Sequence, residues 1–177
     1  DGAGFCLTPG DGEQLLVRPK EAHDGAIPSG NSVAAGNLLR LARLTGRVDL
    51  TERARRLTGA FADDLERRPS AHTHLLEALA GLEGPQVGVV VAGDPTAADT
   101  QLLVATARAG LPSVGTLLLV PPGGQGEAVR RLAPAAASCT PLDGRAAAYL
   151  CRDFACQLPV TDPERLAAAL RADSSER

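Results

Sequence analysis

The stretch that decides the fold of this sequence is VGVVVA, residues Val87–Ala92. Its side chains are mostly β-branched, and no polar residue alternates with them. Such a run is typical of a strand that is buried on both faces of a parallel sheet. The turn GDPT at 93–96 follows, with Asp94 as the expected N-cap of a helix and Pro95 at its first position. The stretch therefore predicts the first strand–helix unit of a parallel sheet.

Strands and helices continue to alternate toward the end of the chain. TLLLV at Thr116–Val120 predicts a second buried strand, and AAAYLC at 146–151 predicts a third. Helical segments separate them, and DPE at 162–164 starts a last helix. Strand and helix in alternation predict an α/β fold, here a small three-stranded parallel, Rossmann-like layer over residues 85–177.

Residues 1–84 carry a different pattern. Short apolar runs at 5–7 and 15–17 flank the turn sequence PGDG, which predicts an N-terminal β-hairpin. Apolar residues at helical spacing then predict three helices: one capped by Ser29 or Asn31, one from Asp49 to just before Pro69, and one capped by Ser70. Short turns between them indicate antiparallel helical hairpins.

The composition describes an ordinary globular chain. Of 177 residues, 44% are hydrophobic and 22% are charged, which argues against intrinsic disorder. A net charge of −3 offers no basic surface for nucleic acid, and no apolar run approaches the ~20 residues of a membrane span. The first residues do not have the form of a secretory signal, so we expect a cytoplasmic location and neither nucleic acid nor membrane as a partner. The sequence contains no methionine, which predicts a piece of a longer protein.

The four cysteines leave several interpretations open. Cys151 and Cys156 form a Cys-x4-Cys pair, whereas Cys6 and Cys139 stand alone in the sequence. A zinc site needs a second close pair, and a redox-active site is usually Cys-x-x-Cys at a helix N-terminus. Buried free thiols are the favoured interpretation; a Cys151–Cys156 disulfide or a metal site are the alternatives. The glycine-rich turns lack nucleotide-binding patterns, so no cofactor or metal is expected.

One loop concentrates polar chemistry. His23 and Asp24 are followed closely by Ser29 and Asn31, just ahead of the first helix. An imidazole beside a carboxylate can act as general acid or base, and the hydroxyl and amide can bind substrate. The alternative is that these residues only shape the loop and cap the helix. His72 and His74 are two residues apart, cannot chelate jointly from a regular helix, and are interpreted as surface or capping residues.

Two stretches carry a resemblance to a known family. RPKEAHDGAIPSGNS at 18–32 and YLCRDFAC at 149–156 resemble the bacterial YyaL-like proteins and the related animal spermatogenesis-associated thioredoxin-domain proteins. The resemblance covers essentially the whole chain as the C-terminal part of a longer protein. It implies a thioredoxin-like domain and a six-hairpin, glycosidase-like α/α toroid, of which the helical segment here is only a part.

The resemblance implies two classes of function. In one, the chain is a non-catalytic region that completes a substrate- or partner-binding platform. In the other, it contributes to the active site of a carbohydrate-active enzyme that is epimerase- or hydrolase-like. The candidate catalytic residues are then His23 and Asp24. The candidates for binding a carbohydrate-like molecule are Lys20, Ser29 and Asn31. Glycosidases usually need two carboxylates. Only Asp24, with Glu21 as a weak second, is expected near such a site, so the chain alone is predicted to be inactive.

The helical half also predicts association. Its apolar stripes contain Leu38, Leu41, Leu57, Phe61, Leu75 and Leu79, and a few helices cannot cover all of them. Exposing ~400 Å² of apolar surface costs about 10 kcal/mol, and patches of that size usually find a partner. We therefore expect a homo-oligomer, most simply a two-fold dimer, formed through the helical half.

Overall fold

The computed structural model describes residues 3–13, 16–153 and 155–175, and the chain divides into two compact units. The first unit comprises residues 1–42 and 47–84, and the second comprises residues 43–46 and 85–177. Within the described ranges, none of the helices has the length and apolar character needed to cross a membrane.

The first unit is helical, as predicted. Its helices are α1 (Gly30–Thr45, whose last turn is assigned to the second unit), α2 (Val48–Gly59), α3 (Ala62–Arg67) and α4 (Thr73–Glu83). A single 3₁₀ turn lies at Pro69–Ala71. Small and branched apolar side chains form the core, chiefly Ala35, Leu39, Ala54, Leu57, Phe61, Leu65, Leu75 and Ala78.

The predicted second helix is interrupted between α2 and α3. The hydroxyl of Thr58 donates to the carbonyls of Ala54 and Arg55, and Gly59 follows it. Side-chain bonds to the preceding turn and a glycine both weaken the continuation of a helix. Phe61 then starts a new helical segment while its ring stays in the core.

The N-terminal β-hairpin is not formed as predicted. Among the described residues of the N-terminal segment, one antiparallel bridge joins Cys6 and Lys20, and the Leu7 N–H donates to Pro19 O at 2.9 Å. Leu16 and Val17 therefore do not pair with residues 5–7; Leu15, the remaining member of the predicted run, lies outside the described residues. Leu16 and Val17 are exposed, so nothing covers an apolar face, and a two-stranded ribbon without such cover is marginal.

The second unit is an α/β layer, which confirms the predicted fold class. Its strands are β1 (Val87–Ala92), β2 (Thr116–Val120), β3 (Ala147–Arg152) and β4 (Ala155–Cys156), in the order β2-β1-β3-β4. Its helices are α5 (Ala98–Gly110), α6 (Gly124–Leu132) and α7 (Pro163–Ser175). The predicted parallel pairing of β1 with β2 is confirmed, with Gly88 opposite Thr116 and Ala92 opposite Val120.

The prediction of a parallel third strand is wrong. β3 runs antiparallel to β1, with Ala147 opposite Ala92 and Arg152 opposite Val87. The chain enters β3 at the end of the sheet where β1 and β2 finish, because the connection from β2 never returns to the other end. The Asp99 carboxylate in the first turn of α5 accepts the N–H of Ala146 at 2.9 Å and fixes that starting point. The layer is consequently a mixed sheet.

Both faces of β1 are buried, as its sequence indicates. Val87, Val89 and Val91 pack with Leu103, Leu150 and Leu166 on one face. Val90 and Ala92 pack with Val120, Cys139 and Cys151 on the other. This double burial explains why the strand shows no alternation of apolar and polar residues.

The predicted cap of α5 is also corrected. The helix begins at Ala98, and Asp94 instead accepts bonds from the backbone N–H and hydroxyl of Thr96 at 2.8 and 2.7 Å. Asp94 therefore shapes the turn before the helix, because a short carboxylate side chain can bond to the backbone two residues further on.

Candidate functional site

The candidate site is built on the loop that leads into α1. The Oγ of Ser29 accepts the backbone N–H of Ser32 at 3.1 Å, and the two hydroxyl oxygens are 2.8 Å apart. Ser29 is therefore the N-cap of α1, which confirms the first of the two predicted caps. The Ser29 hydroxyl, which is predicted to bind substrate, is thus already hydrogen-bonded at the start of the helix.

Asp24 is bound on both sides of its carboxylate. Its Oδ1 accepts the N–H of Ser29 at 2.9 Å, and its Oδ2 accepts the N–H groups of His74 and Leu75 at 2.8 and 3.2 Å. Burial raises the pKa of Asp24, but the N–H of Ser29, the hydroxyl of Ser32 and the two helical N–H groups together lower it below its usual value. The carboxylate is thus held ionised at the N-terminus of α4.

Asn31 joins three segments of the first unit. Its Oδ1 accepts the N–H of Phe5 at 2.7 Å, and its Nδ2 donates to the carbonyls of Phe5 and Glu21 at 2.9 and 2.8 Å. The residue is only 3% exposed. Because both ends of the amide are bonded to backbone, little of it remains for a ligand.

Lys20 lies apart from Asp24. Its Nζ donates to the carbonyl of Ala3 at 3.1 Å, and the residue lines an open depression with Arg56 and Asp64. Asp64 is bonded to Arg67 at 3.0 Å. The structure therefore places the predicted binding lysine in a different depression from the predicted catalytic carboxylate.

The position of His72, beside the predicted His23, is the part of the site that sequence reasoning missed. The exposed ring of His23 meets the ring of His72 edge-on, with centroids 6.2 Å apart. His72 is buried rather than on the surface, and its Nδ1 lies 2.8 Å from Ala22 O. Because a carbonyl oxygen only accepts, Nδ1 carries a proton, and the other ring nitrogen is Nε2. That atom has no hydrogen-bond partner among the described residues, and no sequence signal indicates this.

An open depression lies beside Asp24. It is lined by Asp24, Gly25, Pro28, Thr73, His74, Leu76 and Glu77. The Nδ1 of His74 lies 3.3 Å from a carboxylate oxygen of Glu77. The surface offers carboxylate oxygens and an imidazole, which suit hydrogen bonds to hydroxyl or amine groups. Across the described ranges, no group of three or more His, Cys, Asp or Glu side chains is arranged to hold a metal ion.

The geometry thus divides the five predicted site residues. Asp24, Ser29 and Asn31 are brought together, and each is bonded to the backbone that surrounds it. The exposed His23 lies next to Asp24 in the chain, and Lys20 lies elsewhere. A catalytic or binding role for any of them stays a prediction.

These features define a class of chain: a helical-hairpin unit with a densely bonded entry loop, followed by a mixed α/β unit. The chain is similar to spermatogenesis-associated protein 20 of human, at 34% identity over 162 residues, and of rat, at 33%. Those alignments cover 92% of this chain and 20% of each relative, so the chain spans about a fifth of their length. An uncharacterized protein of Caenorhabditis elegans, B0495.5, is 30% identical over 54% of the chain and 13% of its own length.

The chain belongs to the family of spermatogenesis-associated protein 20. This confirms the family predicted from residues 18–32 and 149–156. No protein-family model matches the sequence, and no solved structure matches it.

Proposed function

We propose that this chain is the C-terminal region of a multidomain protein and serves there as a non-catalytic binding platform. The proposal rests on one observation: the polar side chains of the loop are already hydrogen-bonded to the backbone around them. Asp24, Ser29 and Asn31 together bond to the N-terminal segment, the loop, α1 and the start of α4. The toroid implied by the sequence resemblance would place these bonds at one edge of a larger helical ring.

The state of Asp24 argues against a role as general acid. A catalytic acid must hold a proton near neutral pH, and this usually requires a raised pKa. The pKa of Asp24 is lowered instead, and donors lie against both of its oxygens. A carboxylate in this condition orders the backbone around it.

The depression beside Asp24 is the binding surface that we propose. Its Glu77 and His74 and the neighbouring His23 have exposed or half-exposed side chains. Hydrogen-bonding groups of this kind suit a hydroxyl-rich, carbohydrate-like molecule, which would be the ligand of the longer protein.

We also propose that two copies associate through the helical unit. Of the predicted stripe, Leu57, Phe61 and Leu75 are buried within their own unit, whereas Leu41 is 49% exposed. Val33, two helical turns earlier on α1, is 39% exposed. The face of α1 that carries these two residues is the part of the stripe left for a second copy.

A second candidate function is a contribution to a carbohydrate-active site. One observation favours it: Glu77 lines the same depression as Asp24, so two carboxylates are present where the sequence predicts one. Paired carboxylates across a glycosidic bond are the usual machinery of glycosidases. In that case the ionised Asp24 would be the nucleophile or base, and Glu77 the acid.

The test compares activity and binding in the same preparations. The isolated chain, incubated with oligosaccharides, is expected to give no turnover, and catalytic reduction of insulin by dithiothreitol is expected to proceed at the uncatalysed rate. A carbohydrate ligand that binds should be weakened by Glu77→Gln and not by the exposed Glu13→Gln. Turnover of an oligosaccharide that is lost in both Asp24→Asn and Glu77→Gln would establish the enzyme instead.

A further inference from the structure

The hairpin of β3 and β4 carries a disulfide whose two sulfurs have different surroundings. Cys151 and Cys156 are opposite each other in the ladder and are joined by the bond. Cys151 is 6% exposed, whereas Cys156 is exposed. An external reagent can therefore approach the bond from the Cys156 side.

The bond is not the only interaction that holds the hairpin together. The two cysteines are five positions apart in sequence, so the loop that the bond closes removes less entropy from the unfolded chain than a longer loop would. Backbone bonds fix the hairpin independently: Gln157 N–H to Leu150 O at 2.8 Å, and Asp153 N–H to Gln86 O at 3.0 Å. Gln86 N–H in turn donates to the Asp153 carboxylate at 3.1 Å. Opening the disulfide leaves these contacts in place.

Cys151 shares a cavity with a cationic side chain. It lines a small cavity of the second unit together with Gln86 and Arg43, whose guanidinium donates to Val114 O. Burial lowers the pKa of Arg43 and the charge of Asp153 opposes this, but an arginine side chain remains protonated in proteins. A neighbouring guanidinium stabilises a thiolate, and a stabilised thiolate is the better leaving group in disulfide exchange.

Cys139 provides a buried thiol in the same region. Its Sγ lies 3.3 Å from Ala135 O, and the Sγ of Cys156 lies 4.0 Å from the same oxygen. Cys139 is 1% exposed, and burial raises its pKa although Arg130 opposes the shift. It is thus a thiol that an external reagent should not reach.

We propose that the Cys151–Cys156 disulfide is an exchange site that accepts a low-molecular-weight thiol on Cys156, with Cys151 as the leaving and resolving sulfur. The thiolate of the incoming molecule attacks the Sγ of Cys156, and the bond between the two cysteines breaks. Its electron pair goes to the Sγ of Cys151, which leaves as a thiolate, and the proton that the incoming thiol lost on ionising stays in the solvent. Attack by Cys151 in the reverse direction expels the molecule and restores the disulfide, so no separate oxidant or reductant is needed.

This reaction is stoichiometric and differs from catalysis of thiol–disulfide turnover. The modified form carries one added group on an exposed strand end, and the unmodified form returns when the thiol concentration falls. The site would couple the surface of the second unit to the surrounding thiol pool.

The experiment uses glutathione as the probe and a matched pair of variants. Both Cys151→Ser and Cys156→Ser remove the disulfide, but the first leaves the exposed thiol and the second leaves the buried one. With glutathione disulfide as donor, we expect Cys151→Ser to gain one glutathione on Cys156 about ten times faster than Cys156→Ser gains one on Cys151. Intact mass and a peptide map give the site and the rate.

The wild-type chain, treated with millimolar reduced glutathione and quenched in acid, should show a transient adduct on Cys156 and none on Cys139. A disulfide that resists glutathione until the chain is unfolded, an adduct on Cys151, or equal rates in the two variants would each overturn the proposal.

The role of Arg43 is tested by Arg43→Gln, which should slow formation of the wild-type adduct, while Arg43→Lys should retain most of the rate. Should Arg43→Gln fail to fold, the pH dependence of glutathione release from the wild-type adduct reports the same property. Release that follows an ordinary thiol ionisation near pH 8.5 would contradict the assistance by Arg43.

Discussion

The carboxylate of Asp24 caps helix α4 from fifty residues away, with its Oδ2 2.8 Å from the backbone nitrogen of His74. The first residues of a helix leave N–H groups without partners, and here a preceding loop supplies the acceptor. The same carboxylate also accepts the N–H of Ser29, so one side chain positions the starts of two helices.

Replacing Asp24 by asparagine should destabilise the first unit. Asn retains one acceptor oxygen but turns an NH₂ group toward backbone donors, and the negative charge at the helix N-terminus is lost. We expect a loss of about 1–2 kcal/mol in the free energy of unfolding, measured by urea denaturation. Asp11→Asn, at an exposed position, is the control and should change stability by less than ~0.5 kcal/mol. Equal losses in the free energy of unfolding for the two variants would show that the Asp24 cap does not stabilise the first unit.

The contribution of Asp24 should depend on pH. Its pKa is lower in the folded chain than in the unfolded chain, because the N–H groups of Ser29, Leu75 and His74 outweigh the effect of burial. The stabilisation is therefore fully present above the unfolded value of ~3.9 and is lost as the pH falls through the folded value. The difference in urea midpoint between wild type and Asp24→Asn should be constant from pH 7 to 5 and shrink below pH 4. A difference that grows on acidification would contradict the assignment.

Asn31→Ala should be more damaging than most single substitutions in the first unit. It leaves the N–H of Phe5 and two carbonyl groups without the partner that they have in the fold. The expected loss is about 2–3 kcal/mol, from buried polar groups that lose their bonds. Asn37→Ala, at an exposed position of the same helix, is the matched control. Thermal unfolding of both variants decides the matter: similar melting temperatures would mean that the amide bonds are dispensable.

Gly126→Ala should destabilise the second unit although glycine normally weakens a helix. A β-carbon at Gly126 would lie 2.0 Å from the carbonyl oxygen of Pro121, so the turn between β2 and α6 would have to move. We expect a cost of about 1–3 kcal/mol from this overpacking. At Gly124, in the same helix, nothing lies within 4 Å of the added carbon, and the substitution there should be neutral or stabilising. A stabilising Gly126→Ala would refute the close approach.

Leu41→Glu should prevent association if two copies pair through α1. Light scattering of the wild-type chain at high concentration should give the mass of a dimer, and the variant should give that of a monomer. Leu102→Glu changes a similarly exposed leucine on α5 in the second unit and should leave the dimer intact. A monomer mass for the wild type would end the dimer proposal.

Local pattern was enough to predict β1, β2, β3 and most helices, but it also predicted an N-terminal hairpin that is not formed, and it did not indicate β4. The composition of VGVVVA and TLLLV indicates strands, and the structure pairs them in parallel as predicted. VGVVVA is buried, but TLLLV, predicted to be buried as well, is a half-buried edge strand. The direction of β3 was not readable, since it depends on where a long connection delivers the chain. That point is fixed by Asp99 accepting the N–H of Ala146, a contact between residues distant in sequence.

The candidate site shows the same limit. The loop that holds Asp24 and Asn31 could be selected from its concentration of polar side chains, but their partners could not. The sequence predicts Ser70 as the cap of α4. The structure has Asp24 in that role instead, because the folded loop brings its carboxylate to the start of the helix. The burial of His72 follows from the same approach of the loop, through the carbonyl of Ala22.

The two edges of the sheet differ in how much backbone they leave available for pairing with a further strand. At one edge, β4 has only two residues, and the bridge between Ala148 and Val160 already uses part of β3. The opposite edge is β2, five apolar or β-branched residues without charge or proline. Edge strands of that composition recruit strands from other molecules. Fibrillar self-assembly of this unit should therefore start at Thr116–Val120, and a lysine placed in that strand should suppress it.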